Sequence, residues 1–599
     1  MAKYTEVRLK NNQFILVTEG EEDIEVTNFV SQLQKDITYK LASGISTHEY
    51  LVRVKKQNGD ELESKIIPSP EFDRMQWASR HWGSEAFVHE KAIFKNQVRK
   101  KMLLREGIKK ETRYQNVGFI KQNGKPLTYV DNGGCFTKDG YDDSIKSCLQ
   151  DKLSKYELSP PIDDVDEIEE CILAMLNIGE LSPNNPFVGL LCQTTVIKAL
   201  MSIFLPNTCT HFLVGETGSM KSSVATVIQS FHGQNFESSL DLPESWNSTK
   251  AALENTLTMI KHSVLVIDDF VPNAKTNKEL SNKAEDILRA SANRAKKTLA
   301  NNAGGIRQGS TPDATILITG EALSKDLVTS LLMRVMFFPI TKGDIDTDSM
   351  DEYQDFGKEG VLAMFTSLFI MYLLEKQDKL STSIPRIFKQ YRTKASKELI
   401  DKHSRCFENA ASLMVAQSLL FSFAKWHKVI SKGKPKKMLE DSWHQILQLV
   451  KRQTQITEEH SLPNVVFKYF KKGMSEGYIH LVDHSTGDEP EGEDTIKFGW
   501  ENEEPKGHCV GWFNEKTQSV YIETSETTFK VLYNLFPEGF KDAMPDSHKS
   551  FWKTMNESGG LSETEKERNT VRKTVFDFSE GASKSIPVYF LSFNFELKK

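Results

Sequence analysis

Thr210-His211-Phe212-Leu213-Val214-Gly215-Glu216-Thr217-Gly218-Ser219-Met220-Lys221-Ser222 is the stretch whose reading decides the fold of this chain. Its first five residues read as a short apolar strand, and the run after Lys221, SSVATVIQSFHG, has helical character and ends at Gly233. A strand, a glycine-containing loop, Lys-Ser and a helix form the context in which backbone amides and a helix N-terminus converge on a polyphosphate. The loop residues Gly215, Glu216, Thr217, Gly218, Ser219 and Met220 would wrap the phosphates of ATP. Lys221 would reach the β- and γ-phosphates, and Ser222 would hold Mg²⁺. The usual pattern has glycine where this chain has Met220, which leaves Gly218 to supply backbone freedom.

Three further segments bear on the same chemistry. Val264-Leu265-Val266-Ile267-Asp268-Asp269 reads as a buried parallel strand that delivers carboxylates at its C-terminal end. Asp268 suits the Mg²⁺ shell. Asp269 stands where many such ATPases carry a glutamate, one methylene longer, as the base that polarises the attacking water. Ala314-Thr315-Ile316-Leu317-Ile318-Thr319-Gly320-Glu321 is a third strand, and a hydroxyl at Thr319 can sense the γ-phosphate or position water. In Ser330-Leu331-Leu332-Met333-Arg334-Val335-Met336-Phe337-Phe338 one arginine sits in an apolar run. Either Arg334 enters a neighbour's ATP site, or it is an ordinary snorkelling side chain.

Taken in order, GETGSMKS, VLVIDD, ATILITGE and SLLMRVMFF resemble the AAA+ core of MCM-like self-loading replicative helicases. The likeness is nearest to the family of the staphylococcal cassette chromosome helicase and the pathogenicity-island replication initiators. It covers roughly residues 70 to 430 well and the C-terminal portion more loosely. The resemblance implies Lys221 and Ser222 in phosphate and Mg²⁺ binding, Asp268 and Asp269 in the Walker B role, Thr319 as sensor 1 and Arg334 as arginine finger. It makes Arg405 a sensor 2 residue in contact with nucleotide, against the alternative of simple surface placement. From Arg289 to Arg307 the chain carries five basic residues and no acid, with Asn301-Asn302-Ala303-Gly304-Gly305 as a hairpin tip. The family has a phosphate-tracking hairpin in this interval, which implies Lys296, Lys297 and Arg307 as DNA contacts; a solvated basic helix is the other reading.

The fold class implied is α/β: an AAA+ P-loop ATPase core, an N-terminal mixed α/β region and a C-terminal winged-helix-like domain. At 599 residues the chain exceeds what one hydrophobic core supports. The expected division is a small β-rich module over 1–66, an α/β domain over 67–155, the ATPase domain over 156–430 and the winged-helix-like domain over 431–599. The first module rests on alternating segments such as YLVRVKK before Asn58-Gly59, a hairpin dipeptide. The boundary near 155 follows from seven acids around Pro160-Pro161 between Glu157 and Glu170. An acidic stretch at 483–504, nine acids against one base, reads as a disordered or looping insert.

The formal charge of −6 is near balance, so any nucleic-acid role rests on local surfaces such as Lys91 to Arg113, where nine basic residues stand against two acids. Seven cysteines occur singly, with no CxxC pair, which argues against structural zinc and disulfides. The greasiest run, Val361 to Leu374, is too short to cross a bilayer, and the N-terminus lacks an apolar signal core, so no membrane partner and a cytoplasmic location are expected. The leading expectation is an ATP-dependent helicase that acts as a homo-hexameric ring on single-stranded, forked and origin DNA during replication of a mobile genetic element. An AAA+ protein remodeller or loader, or a slowly hydrolysing origin-binding switch, would use the same nucleotide site.

Overall fold

The computed structural model describes residues 6–17, 22–40, 46–121, 127–271, 277–294, 299–300, 306–307, 311–321, 334–399, 403–431, 433–459, 462–491, 495–537, 541, 544–566 and 568–592. Near the N-terminus, β1 (Phe29–Lys40), β2 (Ser46–Lys56) and β3 (Glu61–Pro68) form antiparallel pairs. The turn between β2 and β3 uses Gly59 at φ +95°, a conformation that glycine adopts without cost. Helix α1 (Ala92–Leu103) sends Phe94, Val98 and Met102 inward, the i, i+4, i+8 stripe of an amphipathic helix. Then β4 (Lys109–Tyr114) and β5 (Ile145–Ser147) join in parallel, giving the order β5-β4-β1-β2-β3. Residues on both sides of position 66 share this sheet and one core, in which Leu33 and Val52 meet Phe72 and Trp77. The expected module of 1–66 is therefore continued by the segment that follows it.

A small four-stranded sheet over 118–142 fastens this region to the central unit through backbone and buried polar groups. The Val117 N–H donates to the Met259 carbonyl (2.9 Å), and the Lys261 N–H donates to the Val117 carbonyl (3.2 Å). Gly118 has φ +109°, and a Cβ there would meet the Lys261 carbonyl oxygen at 2.0 Å. The Tyr156 hydroxyl donates to the Val264 carbonyl at 2.6 Å, and His262 Nδ1 accepts from the Phe119 N–H at 3.2 Å. Burial pulls the His262 imidazole down to about 3, so at neutral pH it is the uncharged acceptor this bond requires. The Asp131 carboxylate accepts from the N–H groups of Gly133, Gly134 and Leu158 (2.8, 3.0 and 3.2 Å), which ties down the start of the linker near 158.

The central unit is a parallel sheet between helices. Helix α2 (Pro186–Met201) precedes β6 (Thr210–Val214), which is followed by α3 (Lys221–Ser230) and β7 (Glu244–Ser245). Next come β8 (Val264–Phe270), α4 (Asn277–Ala292), the short strands β9 (Leu299–Ala300) and β10 (Ile306–Arg307), β11 (Thr315–Gly320) and β12 (Val335–Pro339). The strand order is β7-β8-β11-β6-β12. Helices cover both faces, so these strands read as continuous apolar runs rather than alternations.

Behind them lie α5 (Val361–Glu375) and α6 (Ser404–Trp426), both largely buried. Among the described residues no single helix is long and apolar enough to cross a membrane; the greasy run at 361–374 is a core helix. Helix α7 (Lys434–Glu459) places Trp443, Ile446 and Val450 in the same cluster as α6, so the central unit extends past 430. Gln453 Oε1 accepts the Phe337 N–H at 3.0 Å, which satisfies a donor on the edge of β12 that no strand pairs. The C-terminal part has its own core from Val466 to Leu591. It contains α8 (Glu526–Asn534), α9 (His548–Glu557) and the antiparallel pair β13 (Val571–Asp577) and β14 (Ala582–Leu591). Within the acidic stretch, Phe498 and Trp500 are buried in this core, and Trp500 Nε1 donates to the Leu481 carbonyl at 2.7 Å. Two aromatics among the acids supply enough apolar surface to fix residues 495–501, where charge alone reads as a loop.

Candidate active site

The loop from Gly215 to Met220 joins the C-terminal end of β6 to the first turn of α3. Gly215 donates its N–H to the Gly320 carbonyl (3.1 Å), and a Cβ at this position would meet the Ile340 carbonyl oxygen at 2.1 Å. Only glycine fits there. Ser219 Oγ donates to the Glu216 carbonyl at 2.8 Å, closing the turn. Gly218 has φ +82°, and Met220 itself holds φ +62° as the residue before the helix. The methionine thus adopts the left-handed conformation that glycine takes in the common pattern, at a cost of roughly 1–2 kcal/mol. Met220→Gly removes this strain and Met220→Ala keeps it. Denaturant unfolding is expected to rank the glycine variant more stable than the alanine variant by roughly 0.5–1 kcal/mol, after the extra freedom of glycine in the unfolded chain is subtracted. Equal midpoints would show that position 220 stores no strain.

Lys221 Nζ lies inside the loop and donates to the carbonyls of Gly215 (2.9 Å) and Glu216 (2.8 Å). Ser222 Oγ donates to both oxygens of Asp268, at 3.1 and 3.2 Å. On the other side the Thr319 hydroxyl donates to Asp268 Oδ1 and accepts the Asp269 N–H at 3.1 Å. One carboxylate therefore links the helix that follows the loop to two neighbouring strands. The register of β8 against β11 shifts between Ile267 and Phe270, and Asp269 takes φ +67° there with its side chain exposed. A bulge re-aims a side chain in this way, and here it turns the second carboxylate out of the sheet.

Two charged residues join the site without having been singled out by sequence reasoning. Glu321, just past the end of β11, accepts from the Thr217 hydroxyl; its signal was the same as that used for Asp268, an acid at the C-terminal end of an apolar strand. Lys342 places its Cε 3.2 Å from where a Gly218 Cβ would stand, and its Nζ lies 3.8 Å from the Glu216 carboxylate. No local pattern marks Lys342; the loop after β12 reaches the site only because β12 lies beside β6.

Arg334 is elsewhere. Its carbonyl accepts the Thr210 N–H at 2.8 Å, at the N-terminal end of β6. The phosphate-type loop leaves the opposite end, five residues of extended strand away, about 16 Å. Burial, together with the positive charges of Arg405 and Arg289, holds the Arg334 guanidinium below the usual arginine range. Arg405 opens α6, where its N–H donates to His403 Nδ1 at 3.2 Å, and its charge bears on Arg334 and on Cys209. The charge of Arg405 thus acts toward the N-terminal end of β6, the end that Arg334 occupies. Lys296 and Lys297 lie outside the described residues. The backbone of Arg307 pairs with Leu299 in the two-stranded β9-β10 ladder, whose intervening residues 301–305 also lie outside them.

Among the described residues no cluster of three His, Cys, Asp or Glu side chains could hold a metal ion. Mg²⁺ needs less from a protein, since it is commonly bound by one or two side chains together with substrate phosphates and water. The paired oxygens of Ser222 and Asp268 beside the Lys221 loop fit that requirement.

A family model described as a domain of unknown function (DUF927) matches residues 176–311, less than half of the chain. No curated protein matches it by sequence. Among solved structures, SCCmec type IV Cch, an active helicase, superposes with a TM-score of 0.58 over 98% of this chain and 96% of that one, at 13% identity. The fold is that of a helicase structure. The C-terminal region of NrS-1 (TM-score 0.26, 10% identity, 64% of this chain and 87% of that one) and the JCV helicase (TM-score 0.19, 13% identity, 42% and 73%) are also matched, at scores that carry no argument.

Proposed function

We propose that this chain is an MCM-like AAA+ ATPase that translocates on single-stranded DNA as a homo-hexameric ring, acting as a helicase in replication of a mobile element. The reading rests above all on the Ser222–Asp268–Thr319 chain of hydrogen bonds at the mouth of the Lys221 loop. Bound Mg-ATP supplies the scissile phosphoryl bond. The loop amides and Lys221 hold its phosphates, and Ser222 and Asp268 hold the metal. Asp269 accepts a proton from the attacking water, and Thr319 fixes the spacing of the two carboxylates. Arg334, at the opposite end of the sheet, serves the site of the next subunit in the ring; a heterologous interface of this kind closes into rings. In this reading α8, α9 and the β13-β14 hairpin form the winged-helix-like domain, and origin DNA is a partner.

The basic interval from Arg289 to Arg307 carries the DNA contacts in this reading. Changing Lys296, Lys297 and Arg307 to alanine is expected to abolish stimulation of ATP turnover by single-stranded DNA and strand displacement on a fork. It should also make the salt dependence of binding shallower, because each lost phosphate contact removes about 0.7 from the log–log slope. An unchanged slope with normal unwinding would remove these residues from the DNA surface and favour Lys91 to Arg113. Turnover indifferent to DNA in the unaltered protein would favour a protein remodeller or loader.

A further inference from the structure

Glu321 stands where three pieces of the site meet. The residue before it, Gly320, accepts the Gly215 N–H at 3.1 Å, which holds the end of β11 against the start of the loop. The Glu321 N–H donates to the Phe270 carbonyl at 3.3 Å, one residue past Asp269. Its carboxylate accepts from the Thr217 hydroxyl in the middle of the loop. These bonds fix backbone and side chain between the loop and the end of β8 that carries Asp268 and Asp269. Side chains two apart along a strand share a face, and Glu321 comes two residues after Thr319, whose hydroxyl bonds Asp268 and the Asp269 N–H. The two Cα atoms are thus about 7 Å apart, with Glu321 the farther out of the sheet.

Asp269 leaves part of the chemistry to another group. It takes φ +67° at the bulge in β8, with its side chain turned out of the sheet, and it is one methylene shorter than the glutamate common at that place. One carboxylate can accept a hydrogen from the attacking water and take the proton, but the water stays free to rotate about that bond. A second acceptor fixes the other hydrogen, and the lone pair then points at phosphorus.

We infer that Glu321 is a further catalytic residue, one that orients the attacking water by accepting its second hydrogen while Asp269 takes the proton. The inference rests on the nucleotide site given under Proposed function. Without nucleotide the Glu321 carboxylate is held by Thr217; with phosphates in the loop it turns from that hydroxyl to the water. The water oxygen bonds to the γ-phosphorus, the bond from that phosphorus to the β–γ bridging oxygen breaks, and ADP leaves with the electron pair. The proton goes to Asp269, and Glu321 stays ionised throughout. A carboxylate in this place also repels the γ-phosphate, so Glu321 speeds turnover while weakening the hold on ATP relative to ADP. A residue that only braced the loop would strengthen the hold on both.

The test is ATP turnover, with separate titrations by ATP and ADP, of purified Glu321→Ala and Glu321→Gln beside the unaltered protein and Lys221→Ala. Glu321→Ala should lose about tenfold to a hundredfold in turnover at saturating ATP, bind ADP as before and bind ATP at least as tightly as before. Glu321→Gln, whose amide oxygen still accepts a hydrogen bond, should recover part of that loss. Turnover of Glu321→Ala equal to that of the unaltered protein, with Lys221→Ala inactive, overturns the inference and leaves the nucleotide site standing. Equal weakening of ATP and ADP with full turnover at saturation overturns it too, and makes Glu321 a brace for the loop. Turnover in Lys221→Ala equal to that of the unaltered protein overturns the nucleotide site and this inference with it. Glu321 is exposed, and Glu321→Gln, which keeps an acceptor for Thr217, carries the same comparison with a smaller loss should the alanine variant fold poorly.

Discussion

Replacing Lys221 by alanine is expected to abolish ATP turnover and all strand displacement while leaving the fold intact. In the structure its ammonium donates to two loop carbonyls, and on the proposed reading phosphate oxygens replace them. The loop keeps its shape without it. Gly215 is fixed by the Gly320 carbonyl and by Ile340, Ser219 closes on Glu216, and Ser222 still bonds Asp268. What is lost is the cation that follows negative charge as it moves from the γ-phosphate to the leaving oxygen. Removing one such charge-stabilising donor costs on the order of 10²–10³ in rate, and lost nucleotide affinity adds to this. Turnover and nucleotide titration on the purified variant, with its unfolding midpoint as control, check the outcome. Turnover near that of the unaltered protein would mean that the loop binds no nucleotide phosphate.

Arg334→Ala is expected to reduce turnover by a factor of about 10³–10⁵, the range for arginine fingers, with nucleotide still bound. Geometry gives this variant a signature that Lys221→Ala lacks. Arg334 sits beside Thr210 at one end of β6 and the loop leaves the other end, so an arginine side chain cannot span the gap within one subunit. If it acts on phosphate, it acts on a neighbour's. Mixing the two inactive proteins should therefore produce active interfaces, and turnover should pass through a maximum as the ratio is varied. A flat, inactive titration at every ratio would assign Arg334 a role inside its own subunit.

The loop and its immediate partners were legible early because each is encoded within a few consecutive residues. Gly215 to Ser222 carries its own strand, turn and helix start, and Asp268 and Thr319 each stand at the end of an apolar run whose length already marks a buried strand. Even the irregular points had a local trace: Met220 departs from the glycine of the usual pattern, and its φ of +62° is the strain that the departure implies. Arg405 and Arg289 had no such trace. Each lies in a helix that composition could place on any face of the core: Arg405 was given nucleotide contact by the resemblance, and Arg289 was read as one of five bases between 289 and 307.

The sequence by itself determined the strand, loop and helix around Lys221 and the acids at the ends of apolar strands, because strand, loop and helix propensities act over short stretches of chain. Only the tertiary structure decided how those pieces meet. Inserting β11 between β6 and β8 is what lets Thr319 bond Asp268, and pairing β12 with β6 is what sends Arg334 to the far edge and Lys342 to the loop. The continuation of the first module past 66 and of the central unit past 430 was settled in the same way, by pairings such as β1 with β4 and contacts such as Gln453 with Phe337. Strand order and helix docking depend on contacts between residues far apart in the chain, from 51 positions for Thr319 and Asp268 to 116 for Gln453 and Phe337, and the periodicity of a local segment carries no record of which distant segment it will pack against.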